Sequence, residues 1–287
     1  MANDRIELTT PDDIYYDYCL WQYEPVASPE NKLRSVNLLY HSFELTCAPD
    51  SAYGLVEAIR REIGMFNTVW GIKQIGDELR REFYFYDYRR RARERSITRV
   101  LRAISPFIHC AVSVNESLNY FMFSLDVNND LLGNTKDLKE VHMYIGNPGS
   151  AVSSGICYSV TADRTRLENF YFFFDAKKLD EIAGKINSSV FFDTTVMDIN
   201  HLLWPEMMGC KVIVVANKQR NDAIYFSRIN IDQLLFFLNK MKYPAPLIAF
   251  VKSHRGRLDH LLYDVGFDYR LEGQNLIVLK SGYYGIF

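Results

Sequence analysis

The sequence predicts an α+β fold, a closed antiparallel β-barrel of about ten strands built from repeated αββα units, with the helices outside. The strands come in adjacent pairs separated by helices, and 19 Tyr and 19 Phe supply the aromatic side chains that strands favour. Adjacent pairs favour an antiparallel sheet, because parallel strands need a crossover connection. A sheet of that size tends to close, and its lumen is wide enough for a ligand.

The first unit shows the pattern clearly. Residues 51–63 carry apolar side chains at helical spacing, and Gly64 ends the helix. Two strands, 68–75 and 79–88, follow and are joined by a tight turn at Gly76 and Asp77. A second helix then begins, with Ile97, Val100, Leu101 and Ile104 on one face.

The same order continues to the end of the chain. Further strands are predicted at 121–127, 140–145, 156–162, 167–174, 211–217, 223–229, 267–269 and 276–284, with one more at 37–46. Helices are predicted around 179–186, 231–238 and 247–262. Loops fall at 25–29, 128–134 and 146–155, and no linker divides the chain, so residues 1–287 form one domain.

Composition excludes several classes of protein. A net charge of -2 argues against a nucleic-acid binder, and no apolar run approaches the roughly 18 residues of a membrane helix. The polar N-terminus has no secretory h-region, which predicts a cytoplasmic protein. Five scattered cysteines without CxxC spacing predict reduced, buried thiols, and the six dispersed histidines show no metal-site pattern. We expect a monomer.

Charged residues within strands are the first candidates for a site. With helices covering the outside, the lumen can be polar, so mid-strand charges should point inward. Arg81, Lys211 and Lys280 lie in or at the end of apolar strands, where an unpaired buried cation is costly. An anionic ligand would remove that cost; the alternative is a solvent-facing strand end. Lys73 and Arg228 are further candidates whose facing the sequence leaves open.

Strand alternation ties aromatic residues to these cations. If Arg81 faces the lumen, so do Phe83 and Phe85. The equivalent sets are Asn169, Tyr171 and Phe173, and Lys280, Gly282 and Tyr284. Such sets place a polar head beside aromatic faces that stabilise a cation and exclude water. The alternative is the ordinary aromatic content of β-strands.

Four segments, in their order along the chain, resemble the soluble ABBA prenyltransferases. They are residues 43–49 (FELTCAP) with the helix opening Ala52-Tyr53, residues 80–85 (RREFYF), 168–171 (ENFY) and 279–284 (LKSGYY). Segments 121–145 and 217–226 are more similar to the members that prenylate cyclic peptides of cyanobacteria. The resemblance implies the same αββα barrel.

The resemblance also implies a reaction. A dimethylallyl or geranyl group would pass from its diphosphate, as an allylic cation, to an electron-rich acceptor. That acceptor would be a Tyr or Trp side chain of a cyclic peptide, another indole, or a phenol. Arg81 and Lys280 would bind the diphosphate, with Asn169 and Tyr171 facing it. Magnesium-dependent members carry an acidic residue on an early strand; Glu44 lies close to that place, which leaves Mg²⁺ dependence open.

Four residues have two interpretations each. Tyr158 and Tyr225 would cap the diphosphate by hydrogen bonding or are half-buried strand tyrosines. Glu44 would act as a general base or is an exposed glutamate. His142 would face the diphosphate or is a core histidine. The arginine run at 88–95 favours a solvated loop over a docking site for an acidic partner.

Two other functions fit the same pattern. The first is a non-catalytic barrel that carries a hydrophobic small molecule. The second is an interaction protein whose curled sheet never closes, which would leave Arg81 and Lys280 exposed and far apart.

Overall fold

Ten antiparallel strands close into a barrel in the computed structural model, which describes residues 5–19, 21–87, 93–146 and 153–287. Each barrel strand pairs with the next along the chain, and the last pairs with the first. In chain order the strands are β1 (Tyr16–Asp17), β2 (Trp21–Gln22), β3 (Thr68–Ile75), β4 (Glu78–Tyr86), β5 (Met122–Val127), β6 (Val141–Gly146), β7 (Ser154–Val160), β8 (Thr165–Asp175), β9 (Val212–Lys218), β10 (Asp222–Ile229), β11 (Tyr263–Glu272) and β12 (Asn275–Ile286). Strands β1 and β2 form a separate small hairpin.

Helices cover the outer face of the barrel. Within the described residues they are α1 (Val36–Leu45), α2 (Ser51–Ile63), α3 (Ile97–Ile104), α4 (Asn129–Leu132), α5 (Leu179–Asn187), α6 (Ile231–Lys240), α7 (Ala245–Ser253) and α8 (Arg255–Leu258). The apolar stripe of α2, with Leu55, Val56 and Ile59, is buried with the outward side chains of the strands in the main core. No helix in these ranges is both long and apolar enough to cross a bilayer.

The predicted fold class is confirmed, with local corrections. Residues 37–46 form most of α1 and not a strand, because Val36, Leu39, Tyr40 and Phe43 recur at helical spacing and bury one face. The helix predicted at 247–262 is interrupted, and β11 already begins at Tyr263. Residues 88–92 of the arginine run and 147–152 of the predicted loop lie outside the described residues.

Closure of the sheet contradicts the open-sheet alternative. β12 pairs with β3 over six residues, so the sheet has no free edge there.

The five cysteines are unpaired, as predicted, and Cys157 and Cys210 are buried, but Cys47 is exposed.

The two ends of the lumen differ. The turns after β3, β7, β9 and β11 lie at one end, which we call the mouth. At the other end the β1–β2 hairpin packs into the barrel, with Tyr18 against Tyr86 at a ring-centroid distance of 6.3 Å. Asp17, only 4% exposed, accepts a hydrogen bond from Arg228 Nε at 2.6 Å. The hairpin therefore forms a floor, and the lumen is reached from the mouth.

Candidate active site

Inward-facing side chains form two layers around a cavity of about 260 Å³. The layer nearer the mouth is charged, and the layer below it is built from tyrosines. We call the first the charged layer; it comprises Lys73, Glu82, Asp126, His142, Lys218, Asp268 and Lys280, and Glu140, Arg166 and Glu168 line the same cavity. The predicted inward-pointing charges are therefore present.

The second layer, here called the tyrosine ring, comprises Tyr84, Tyr144, Tyr171, Tyr225 and Tyr284. Each comes from the second strand of a strand pair, so the repeat of the fold produces a five-membered ring. In four of the five pairs of neighbours around the ring, the ring centroids lie 5.9–6.3 Å apart. Each tyrosine is paired with a small residue on the following strand: Ser124, Cys157, Ala216, Gly266 and Gly71 respectively.

One half of the charged layer centres on Lys73. Its Nζ donates to both carboxylate oxygens of Asp126, at 3.0 and 2.9 Å, and is ion-paired with Glu82. Burial raises the pKa of Glu82 to about 7; Lys73 offsets only part of that rise, and the charge on Asp126 adds to it. Burial would also raise the pKa of Asp126, but Lys73, a hydrogen bond with Glu82 and the nearby His142 together lower that pKa. Burial thus holds Glu82 closer to its protonated form than an exposed carboxyl would be.

Two other groups touch this half. Tyr84 Oη donates to Glu82 Oε2 at 2.8 Å, which links the charged layer to the tyrosine ring. His142 lies on the same side of the lumen, and burial lowers its pKa although the Asp126 carboxylate opposes the shift. The imidazole is therefore held towards its neutral form.

The other half holds two ammonium groups on one carboxylate. Lys218 Nζ lies 2.8 Å from both oxygens of Asp268, and Lys280 Nζ lies 3.6 Å from Oδ2. Burial alone would raise the pKa of Asp268, but Lys218 and Lys280 lower it. Since one carboxylate balances one ammonium, the group formed by Lys218, Lys280 and Asp268 carries a net positive charge. The Lys280 side chain is 33% exposed against 9% for Lys218, so Lys280 has room for a further partner.

Several predicted residues do meet in the lumen. Alternation on β12 is confirmed, because Lys280, Gly282 and Tyr284 all line the cavity. Phe173 lies on the same face of β8 as Tyr171, opposite Val214 and one step nearer the floor. The other predicted residues that line the cavity are Lys73, His142, Asn169, Tyr171 and Tyr225.

Arg81 is the main correction, since it points away from the lumen. It is 1% exposed, and its Nη1 donates to Asn129 Oδ1 at 2.8 Å while Nη2 donates to the Ser42 carbonyl at 2.9 Å and to Thr46 Oγ1. The guanidinium also lies over the Phe43 ring, 5.2 Å from its centroid. It therefore fastens the C-terminal turn of α1 to the barrel wall.

Phe83 and Phe85 share that outward face. They are 1% and 0% exposed and belong to the main core between wall and helices. The inward face of β4 carries Glu82 and Tyr84 in their place. Both faces of β4 combine a charged residue with aromatic residues, so residue type alone does not show which face points into the lumen.

Two further predicted diphosphate ligands also lie outside the cavity. Lys211 precedes β9 and is exposed, because the inward face of that strand is Val212, Val214 and Ala216. Tyr158 packs on the outer core, since the neighbouring Cys157 occupies the inward position.

Arg228 and Glu44, both predicted as site residues, lie outside the cavity for different reasons. Arg228 sits at the floor, paired with Asp17, at a bulge where β10 shifts register against β11. Glu44 lies on α1 outside the barrel, where its Oε2 is 3.1 Å from His41 Nδ1. A base for chemistry in the lumen must be another group.

The sequence did not predict about half of the charged layer or part of the tyrosine ring as site residues. The missing residues are Glu82, Asp126, Lys218 and Asp268 of the charged layer, and Tyr84 and Tyr144 of the ring. A usable signal existed for Asp268, which stands between Phe267 and Tyr269, both buried in the outer core. A charge between two buried aromatics of one strand indicates an inward polar position.

A resident metal site is not evident. Within the described ranges, no group of three or more His, Cys, Asp and Glu side chains is placed to hold an ion.

The sequence matches no model of a known protein family and no curated protein.

Proposed function

We propose that the lumen catalyses transfer of a short prenyl group from its diphosphate to an electron-rich aromatic acceptor, as the resemblance to ABBA prenyltransferases implies. The observation that carries this proposal is the order of the layers. The ammonium groups of Lys218 and Lys280, which share one carboxylate, lie nearer the mouth, and the ring of five tyrosines lies directly beneath them. An allylic diphosphate has the same order, an anionic head followed by a carbon chain that becomes cationic.

The head of the donor would bind at Lys218 and Lys280. These ammonium groups share only Asp268, so a diphosphate oxygen can take up the remaining charge. As the carbon–oxygen bond breaks, the electron pair leaves with the diphosphate, and negative charge grows next to these cations. Lys73 faces the same cavity but is already paired with Glu82 and Asp126.

The allylic group would lie against the tyrosine ring. Aromatic faces stabilise a nearby cation, and the β1–β2 floor keeps water from entering behind the ring. A cavity of about 260 Å³ is below the roughly 300–1,000 Å³ of most ligand pockets. That size favours the dimethylallyl donor over the geranyl donor.

Glu82 is the proposed base. As the new bond forms, the acceptor loses a proton, and a group with a pKa near 7 suits both its uptake and its release at neutral pH. Glu82 lies between Lys73 and the Tyr84 hydroxyl, at the junction of the two layers. The acceptor would enter from the mouth, because the floor is closed.

The side chains present do not fit a resident Mg²⁺ site. The carboxylates of Asp126 and Asp268, which line the cavity, are each already paired with a lysine. No step of the proposed reaction is therefore routed through the ion. A non-catalytic carrier of apolar molecules fits less well, since it would leave the charged layer without a ligand.

Two substitutions that change the local charge in opposite directions test the proposed diphosphate site, which we call the head site. We expect Asp268→Asn to tighten binding of inorganic diphosphate at least about tenfold, because it removes a negative charge beside the anion. Lys218→Met should weaken the same binding at least about tenfold, through loss of a charge-assisted hydrogen bond. Isothermal titration calorimetry at fixed ionic strength measures both.

Asp232→Asn is the matched control, since Asp232 is exposed on α6 and paired with Arg255. It should leave the affinity unchanged. Equal affinities in all four proteins, or weaker binding in Asp268→Asn, would count against the proposed head site.

A further inference from the structure

We propose that Gly71, Gly266 and Gly282 are positioning residues of the prenyl subsite, because they leave the space in which Tyr225 and Tyr284 lie against the barrel wall. The inference rests on the proposed function and adds which part of the lumen holds the allylic group. The three glycines lie on adjacent strands, where Gly266 pairs with Gly282 and Gly71 pairs with Tyr284.

Tyr284 lies across two of these glycines. A Cβ atom on Gly71 would lie 2.5 Å from both Cδ1 and Cε1 of the ring. A Cβ atom on Gly282 would lie 2.8 Å from the phenol oxygen, 3.1 Å from Cζ and 3.4 Å from Cε2. One long edge of the ring thus lies over Gly71 and its phenol end over Gly282, so the ring lies along the wall with a face available to the lumen.

Tyr225 depends on Gly266 more strongly. A Cβ atom there would lie 2.1 Å from Cδ1 and 2.7 Å from both Cγ and Cε1. Cγ joins the ring to Cβ, so turning the ring about the Cβ–Cγ bond cannot clear that contact, and only a change of the Cα–Cβ rotamer or of the strand can. A methyl group at this position therefore requires the ring or the strand to move into the cavity.

Space, and not backbone conformation, requires glycine at these three positions. The glycines with positive φ among the described residues are Gly64, Gly76, Gly209 and Gly273, and none of them is in this group. An alanine at Gly71, Gly266 or Gly282 would suit the strand backbone. The constraint comes from the tyrosine rings alone.

The placement has a chemical consequence. The face of an aromatic ring carries the negative end of its quadrupole, and the edge carries the positive end. Gly282 lies two residues from Lys280 on the same strand, so the flat rings lie next to the proposed diphosphate position. An allylic cation released there would meet two ring faces at once.

The experiment compares two ligands in three variants. Inorganic diphosphate probes the head site, and dimethylallyl thiolodiphosphate, which does not react, probes head and prenyl subsites together. In Gly266→Ala and Gly71→Ala we expect calorimetry to show at least tenfold weaker binding of the thiolodiphosphate. Binding of inorganic diphosphate should stay within twofold of the unmodified protein.

Gly155→Ala is the matched control. Gly155 is a buried barrel glycine that pairs with Tyr171 of the ring, yet a Cβ atom there would meet its nearest neighbours only at 3.7 Å. Both ligands should bind this variant as they bind the unmodified protein. If Gly266→Ala does not fold, Gly282→Ala replaces it, since its contact is with the phenol end of Tyr284.

The outcomes are separable. Equal losses for the two ligands, no loss in the glycine variants, or the same loss in Gly155→Ala would overturn the inference. The proposed head site would still stand as long as the unmodified protein binds inorganic diphosphate. If the unmodified protein binds neither ligand, the proposed function itself fails.

Discussion

Replacing Glu82 by glutamine is expected to reduce kcat/KM for prenyl transfer at least about a hundredfold, the lower end of what a positioned general base contributes. Glutamine keeps the shape of the side chain and can still contact Tyr84 and Lys73, but it accepts no proton. Binding of dimethylallyl thiolodiphosphate should change little. The assay follows addition of one C5H8 unit by mass spectrometry, with Tyr- and Trp-containing cyclic peptides, indoles and phenols as acceptors.

The pH profile gives a second readout for the same residue. A carboxylate acts as base only when deprotonated, so with a pKa of about 7 the rate should rise as pH increases through 7 and level off above it. Below that pH, kcat/KM should fall about tenfold per unit, and Glu82→Gln should lack this limb.

Glu78→Gln serves as the control, since Glu78 lies at the exposed end of the same strand and is paired with Arg80. It should leave both the rate and the profile unchanged. Full activity in Glu82→Gln, with the acidic limb intact, would show that another group takes the proton.

Replacing Arg81 by alanine is expected to lower the free energy of unfolding by at least about 3 kcal/mol. The substitution leaves a cavity and removes the donors to Asn129, Ser42 and Thr46 in a buried place. Burial already lowers the pKa of Arg81 to about 10, which shows how far the group is removed from water. Urea unfolding followed by circular dichroism measures the change.

Arg80→Ala is the neighbouring control. Arg80 is partly exposed and ion-paired with Glu78, a surface pair, so its loss should cost less than about 0.5 kcal/mol. Diphosphate affinity should be unaffected in a folded Arg81→Ala protein. Normal stability together with lost diphosphate binding would instead assign Arg81 the lumen role that the sequence predicted.

The barrel could be predicted because each strand pair and its helix repeat a local pattern. Residues 68–75, for example, form a strand that ends directly before the turn at Gly76, with the bounds that the sequence predicts. The sequence predicts a strand in place of α1 because six of the ten residues of α1 are apolar, and such a short apolar run also suits a strand. Their helical spacing is the feature that distinguishes the two.

The facing of strands was harder to predict than their existence. On β12 the residues predicted to face the lumen are the correct ones. Gly282 leaves the space in which the Tyr284 ring lies against the inner wall. On β4 both faces pair a charge with aromatics, and the choice depends on whether Asn129 and the end of α1 provide hydrogen-bond acceptors. Those partners lie 39 and 48 residues away in sequence, where no local pattern connects them to Arg81.

Bulges limit the same reasoning. In β8 the register against β7 shifts at Glu168, and in β12 the register against β11 shifts at Leu279. Each extra residue changes which side chains face the lumen beyond it. The full composition of the charged layer therefore emerges only from strand register in three dimensions.

Titration of the unmodified protein with dimethylallyl thiolodiphosphate, with and without Mg²⁺, tests the central claim most directly. The proposed site predicts saturable one-to-one binding, tighter than that of inorganic diphosphate because the tyrosine ring adds contacts to the prenyl group. The geranyl analogue should bind more weakly, since the cavity is small. Absence of saturable binding with both analogues under both conditions would contradict the claim that this lumen is a prenyl diphosphate site.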